Sequence, residues 1–298
     1  MRSLIGSRAY WDGLVKFLIE DICDRWETAN KPGGDVSYAP QYMFSISREN
    51  WHLLLSRYSR GDDIQELAQY FPPLLDAWEE SERLGKDVFT PQQQYTRHAW
   101  KVNLDHYIVC FWLVGLALAL ELPDAQWQRL LLLIGNEGED QLLDRIIASR
   151  QTGRKIGVTL CHPKPYQRLL NAIDAPAAQQ ARLLADFVQH WYRELDRPAK
   201  PGNAPATAMY ERPYWYSLGN RQLEDSGYFG RWCVEAVAAV KAFGLDDSQC
   251  LGLEHYPGDL LRPNGPSTHP ARPDNGDDQT PTIPSPPCKS WWQRLLGR

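Results

Sequence analysis

Apolar residues recur at steps of three and four from Tyr10 through Trp11, Leu14, Val15, Leu18, Ile19 and Ile22 to Trp26, the period of one face of a helix. The spacing predicts a first helix over residues 7–29, broken by Lys31, Pro32, Gly33 and Gly34. A second helix is expected to open with Ser47 as its N-cap, carry Trp51, Leu54, Leu55 and Tyr58 inward, and stop at Gly61. Asp62 caps a predicted third helix that holds Ile64, Leu67, Ala68, Phe71, Leu74, Leu75 and Trp78 and tolerates Pro72 and Pro73 as a kink. Thr90, Pro91 and Gln93 supply a capping hydroxyl, a first-position proline and an amide three residues past the cap, so a long helix is expected from there to about Leu122.

Pro123 and Asp124 restart the chain into an apolar helix through Trp127, Leu130, Leu131 and Ile134, closed by Gly135. Further helices are expected over 137–149, 165–173, 176–195 and 228–243, with a Pro, Gly and Ala-rich excursion at 197–206. Alternating runs of strand length are missing, which predicts an all-α fold of about nine to eleven helices in a single compact domain. Its N-terminal region is expected to span 1–150 and its C-terminal region 151–261, packed on the first. Residues 262–287 lose almost all apolar side chains, so disorder is expected there. The segment 289–298, KSWWQRLLGR, is basic and aromatic; it suits self-docking or disorder, with a partner or a membrane surface as alternatives.

Composition narrows the functions. A net charge of -5 with twelve tryptophans describes a mildly acidic, aromatic-rich chain, without the basic face that general nucleic-acid binding needs. A basic protein partner fits better. The uncharged stretch 107–120 is shorter than the roughly 20 apolar residues of a spanning helix and lies between Asp105 and Glu121, so a buried helix is expected and no integral membrane segment. Acidic residues interrupt the N-terminal apolar positions, which argues for a cytoplasmic protein. The six scattered cysteines lack any C-x-x-C pair and are expected to be reduced, mostly buried thiols.

No motif nominates a reaction. There is no G-x-S-x-G elbow, no H-E-x-x-H and no phosphate-binding glycine loop, and His98 with His106 makes a weak metal pair. We therefore expect no catalytic residue, no cofactor and no metal site. The informative pattern is acidic: Asp62, Asp63, Glu66, Asp76, Glu79, Glu80 and Glu82 are expected on one helix and its ends, with no Lys or Arg among them. A solvated face explains such a run, and so does a surface that meets a basic cleft. Trp78 and Trp215 are candidate aromatic anchors if exposed.

Several segments, in order, resemble one family. They are Ser7-Arg-Ala-Tyr-Trp-Asp12, Trp191-Tyr192, Tyr214-Trp-Tyr-Ser217, Gly227-Tyr-Phe-Gly-Arg-Trp-Cys-Val-Glu-Ala236, Leu245-Asp-Asp-Ser248 and Tyr256-Pro-Gly-Asp-Leu260. Together these resemble the PoNi family of immunity proteins, which protect bacteria from polymorphic nuclease toxins. The resemblance implies a helical protein that binds a cognate nuclease toxin, associated with type VI secretion, and blocks its active cleft or its assembly. Tyr228, Phe229, Trp232 and Glu235 are expected within two turns of one helix as architecture, and Asp246, Asp247, Tyr256 and Asp259 as residues pinning the chain end. Partner contact is assigned to Asp62, Asp63, Glu66, Asp76, Glu79 and Glu80. A helical enzyme acting on the toxin or a nucleotide, and a membrane-associated adaptor, are the competing readings.

Overall fold

The computed structural model describes residues 1–196, 212–220, 223 and 226–272, and helices are the regular elements among them. Two compact units emerge, one from residues 1–88, 219–230 and 271 onward, the other from 89–218 and 231–270. The expected excursion at 197–206 and the segment 289–298 lie outside the described residues.

In the first unit α1 (Arg8–Ala29) starts where expected, with the Ser7 hydroxyl accepting from the Tyr10 N–H, and buries Trp11, Val15, Leu18 and Ile22. Helix α2 (Ala39–Arg60) begins a full two turns earlier than its predicted Ser47 cap, because Pro40 initiates it and Ser47 is buried inside it. Gly61, at φ 99°, ends α2 in the left-handed conformation that glycine adopts without strain.

The third predicted helix is corrected. The chain from Asp62 forms a short 3-10 helix (Gln65–Tyr70) and then α3 (Phe71–Val88). Pro72 and Pro73 sit in the first turn of α3, where a missing N–H leaves no hydrogen bond unmade, so they start a helix and do not kink one.

The second unit comprises α4 (Pro91–His98), α5 (Leu104–Ala119), α6 (Asp124–Ile134), α7 (Gln141–Ala148), α8 (Pro163–Asp174), α9 (Ala177–Glu194) and α10 (Val234–Phe243). The Thr90–Gln93 capping box forms as its spacing predicts. The single long helix to Leu122 does not, because Asn103 recaps the chain: its side chain accepts from the His106 N–H and donates to the Arg97 carbonyl. Helix α5 is buried on nearly every side. At Gly115 an added Cβ would lie 2.9 Å from Val234 Cγ1, so only glycine admits α10 this closely. Among the described residues no helix is long and apolar enough to cross a membrane.

The irregular segment around α7 is held by two buried carboxylates. Asp140 accepts from the Leu142, Leu143 and Cys161 amides and the Tyr107 hydroxyl; Asp144 accepts from the Gly138, Asp140 and Gly157 amides and pairs with Arg154 at 2.8 Å. Past Leu261, where disorder was expected, residues up to 272 are held: Arg262 pairs with Asp247, and Thr268 with Asp259. Residues 273–298 lie outside the described residues. Cys110, Cys161, Cys233 and Cys250 are free thiols, whereas Cys23 is disulfide-bonded, contrary to the expectation of reduced cysteines.

Candidate functional site

The acidic run divides into a buried part and an exposed part. Asp62 is withdrawn from the surface: its side chain is 4% exposed and pairs with Arg57 and with Arg60, the latter at 2.6 Å. Burial opposes its charge, but the two guanidiniums hold its carboxyl below the ordinary range. Glu66 joins the same cluster through Arg57 at 3.1 Å, although it is itself exposed, and Asp63 caps the turn by accepting from the Gln65 N–H. Asp62 thus has a structural role, because losing it would strand two nearly buried arginines.

On α3 Glu79 is exposed and Asp76 and Glu80 are half-buried. Asp76, Glu79, Glu80 and Arg83 recur at helical spacing and form one wall of a groove of about 780 Å³. Trp78 belongs to the opposite, core-facing side of the helix and is 0% exposed; Trp215 is 2% exposed. Neither is available as an anchor, since each is packed against other rings: Trp78 against Phe44, Trp215 against Trp112 and Trp191.

The other walls come from the end of α1, the loop 30–38 and the start of α2. Gly33 takes φ 94°, which lets the chain reverse after Asn30. Asp35 Oδ1 then accepts from the Ser37 N–H at 2.9 Å and its hydroxyl at 2.7 Å, and the Asp35 carbonyl accepts from the Tyr38 and Ala39 amides, launching α2. The Ser37 hydrogen bonds hold the Asp35 carboxyl below its usual range. This turn presents Val36 at 74% and Tyr38 at 57% exposure beside half-buried Trp26 and Tyr42.

The groove therefore pairs an apolar, aromatic floor with four carboxylates, Asp35, Asp76, Glu79 and Glu80, against two cations, Lys31 and Arg83. Arg83 is itself engaged by Glu80 at 2.6 Å. Such a surface suits a basic protein segment carrying large apolar side chains. The α3 carboxylates are legible in the sequence, whereas the loop reads there as a helix break; its signal is Val36 and Tyr38 standing in a polar, glycine-rich stretch.

Tyr228, Phe229, Trp232 and Glu235, expected together on one helix, are all buried but do not share one. Tyr228, Phe229 and Trp232 precede α10 in irregular backbone, so they do not share a helix with Glu235. In the first unit the Phe229 carbonyl accepts from Ser59, the Tyr228 carbonyl accepts from Tyr10, and Phe229 stacks on His52 at 4.3 Å. His52 in turn bonds Glu49 at 3.1 Å; burial raises the Glu49 carboxyl, but His52 and Arg48 bring it down to about 2.

In the second unit Glu235 is fully buried and accepts from Tyr166 (2.9 Å), Trp191 (3.1 Å) and Trp112 (3.2 Å). Burial pushes its carboxyl up to about 7 despite those three donors. Asp246 caps a turn through the Ser248 N–H, Asp247 accepts from the Tyr256 hydroxyl and pairs with Arg262, and Asp259 holds Ser267 and Thr268. His98 and His106 stack 5.1 Å apart, with His106 bonded to Cys110 and its imidazole pushed down to about 3 by burial. Among the described residues no three His, Cys, Asp or Glu side chains are grouped to hold a metal.

Residues 2–132 match the family model of the N-terminal region of the PoNe immunity proteins (PoNi), and residues 138–260 match the model of their C-terminal region. The fold resembles that of Protein PA2201 from Pseudomonas aeruginosa, at a TM-score of 0.61 and 21% identity, covering 88% of this chain and 91% of that one. No curated protein matches the sequence.

Proposed function

From the premise that the chain belongs to the PoNe immunity protein family, we propose that it binds a cognate secreted nuclease toxin in the cytoplasm and keeps it inactive, as an inhibitor and not as an enzyme. The observation that carries this reading is the pair of family matches, which together account for nearly the whole chain up to residue 260. The toxin belongs to a type VI secretion system and acts on DNA.

A nuclease must hold polyanionic DNA, so its cleft is basic. The groove of Asp35, Asp76, Glu79 and Glu80 offers carboxylates where that cleft would receive phosphates, with Val36 and Tyr38 adding apolar contact beside them. Complementary charge steers the encounter and rejects other partners, while the apolar contact slows release. Occlusion of the cleft follows most directly from this geometry. Blocking the toxin's assembly is the second route, and it uses the same surface.

Co-expression with the nuclease encoded beside this chain tests the proposal. Survival together with a co-purifying complex is expected. Survival with no complex formed would overturn inhibition by binding, and death would overturn immunity.

A further inference from the structure

The rings of the groove differ from other half-buried rings of this chain in what lies over them. Arg97 sits 4.0 Å from the centre of the Phe89 ring, Arg231 4.4 Å from that of Tyr192 and Arg212 5.4 Å from that of Tyr216, so the fold covers those faces with its own guanidiniums. Among the described residues no cation lies over Trp26, Tyr38 or Tyr42, although Lys31 and Arg83 line the same groove. Arg83 is turned to Glu80, which takes its Nε and Nη2 with one oxygen each. We infer that the uncovered rings form a seat for one arginine side chain of the partner, whose guanidinium stacks on Tyr38 and Tyr42 and whose charge meets Asp35.

Local structure sets the geometry. Tyr38 and Tyr42 stand one turn apart at the start of α2, so their rings share a side, 6.4 Å between centres and tilted at 57°. Such a wedge offers two ring faces to one flat cation. Trp26, in the last turn of α1, lines the same groove. Asp35 supplies the countercharge: the Ser37 N–H and hydroxyl both use its Oδ1, which fixes the carboxylate and leaves Oδ2 without a partner among the described residues.

Lys31, exposed on the same loop, offsets part of that attraction, so the seat discriminates by ring stacking more than by charge. Stacking favours arginine over lysine, because a guanidinium is flat and weakly hydrated whereas an ammonium holds its water. The inference rests on the toxin-binding reading for the source of the arginine, a residue type that a nuclease aims at DNA phosphates. The chemistry of the seat is tested without the toxin.

The probe is a capped hexa-arginine peptide titrated into the isotope-labelled full chain, with the Trp26 indole N–H as the nuclear magnetic resonance reporter, assigned from its loss in Trp26→Phe. The signal should shift, with an affinity roughly fivefold to tenfold above that for hexa-lysine. Tyr38→Leu should weaken hexa-arginine binding by roughly the same factor, whereas Tyr38→Phe, which keeps the ring and loses only the hydroxyl, should retain it. No shift in the wild type, equal affinity for the two peptides, or unaltered affinity in Tyr38→Leu would overturn the seat. In surface plasmon resonance Tyr38→Leu should also speed dissociation of the nuclease complex by roughly fivefold to tenfold. An unchanged dissociation rate would overturn the use of the seat in toxin recognition. Peptide binding with no nuclease complex in the wild type would overturn the toxin reading and leave the seat standing.

Discussion

Glu235→Gln should change the pH dependence of stability more than stability itself. The wild-type carboxyl moves from about 4.5 in the unfolded chain to about 7 in the fold. A carboxyl raised by folding binds its proton more tightly in the native state, so its contribution is fully present below the unfolded value and is lost as pH rises through the folded one. At about 1.4 kcal/mol per unit, the wild type should lose on the order of 3 kcal/mol between pH 4.5 and 8 from this residue.

Glutamine has no such titration. It keeps one acceptor for Tyr166 and Trp191, but its amide faces the Trp112 Nε1–H, leaving that donor unmatched. That mismatch costs about 1–3 kcal/mol at any pH. Urea unfolding followed by far-ultraviolet circular dichroism should therefore show the variant weaker at pH 5 and equal to or more stable than wild type at pH 8. A penalty that stays constant, or grows with pH, would refute the claim that burial dominates the Glu235 site.

The groove makes its own prediction: Asp76→Lys, Glu79→Lys and Glu80→Lys together should slow association with the cognate nuclease by roughly tenfold or more at low salt, read by surface plasmon resonance, with the difference shrinking as salt rises. An unchanged association rate would remove this surface from the interface. Asp62→Asn should instead lower stability by about 3 kcal/mol in urea unfolding, because it leaves Arg57 and Arg60 buried without their shared carboxylate. Trp78→Ala should cost about 3–5 kcal/mol of stability, and the residual folded protein should bind the nuclease at an unaltered rate.

Elements defined by local chemistry were legible in the sequence. The Ser7 cap of α1 and the Thr90–Gln93 box each depend on atoms within a few residues, and both form. The errors came where distant residues decide. The helix expected from Pro91 to Leu122 breaks at residues 99–103, where the Trp100 N–H donates to the Asn136 side chain and His162 bonds the Trp100 carbonyl, partners 36 and 62 positions away. The run from Tyr228 to Trp232 has helical apolar spacing, yet Gly227 and Gly230 adopt φ of 59° and 107°, which no helix accommodates. Those two glycines were visible and should have outweighed the spacing. The carboxylates of α3 were identified, but the groove needs the loop 30–38 opposite them, and no periodicity reports that juxtaposition.

The carboxylate-pinned segment around α7 has a consequence for exchanging pieces between related proteins. The two family matches meet between residues 132 and 138, an inviting place to join the front of one relative to the back of another. Yet Asn136 there donates to the His98 and Ile134 carbonyls, and Asp140 and Asp144 fasten residues on the far side. The N-terminal match also takes in α1 to α3 from one compact unit and α4 to α6 from the other. A recombination at the family border would cut through one cooperative body, so functional hybrids should arise from crossovers that respect the compact units and not from swapping matched halves.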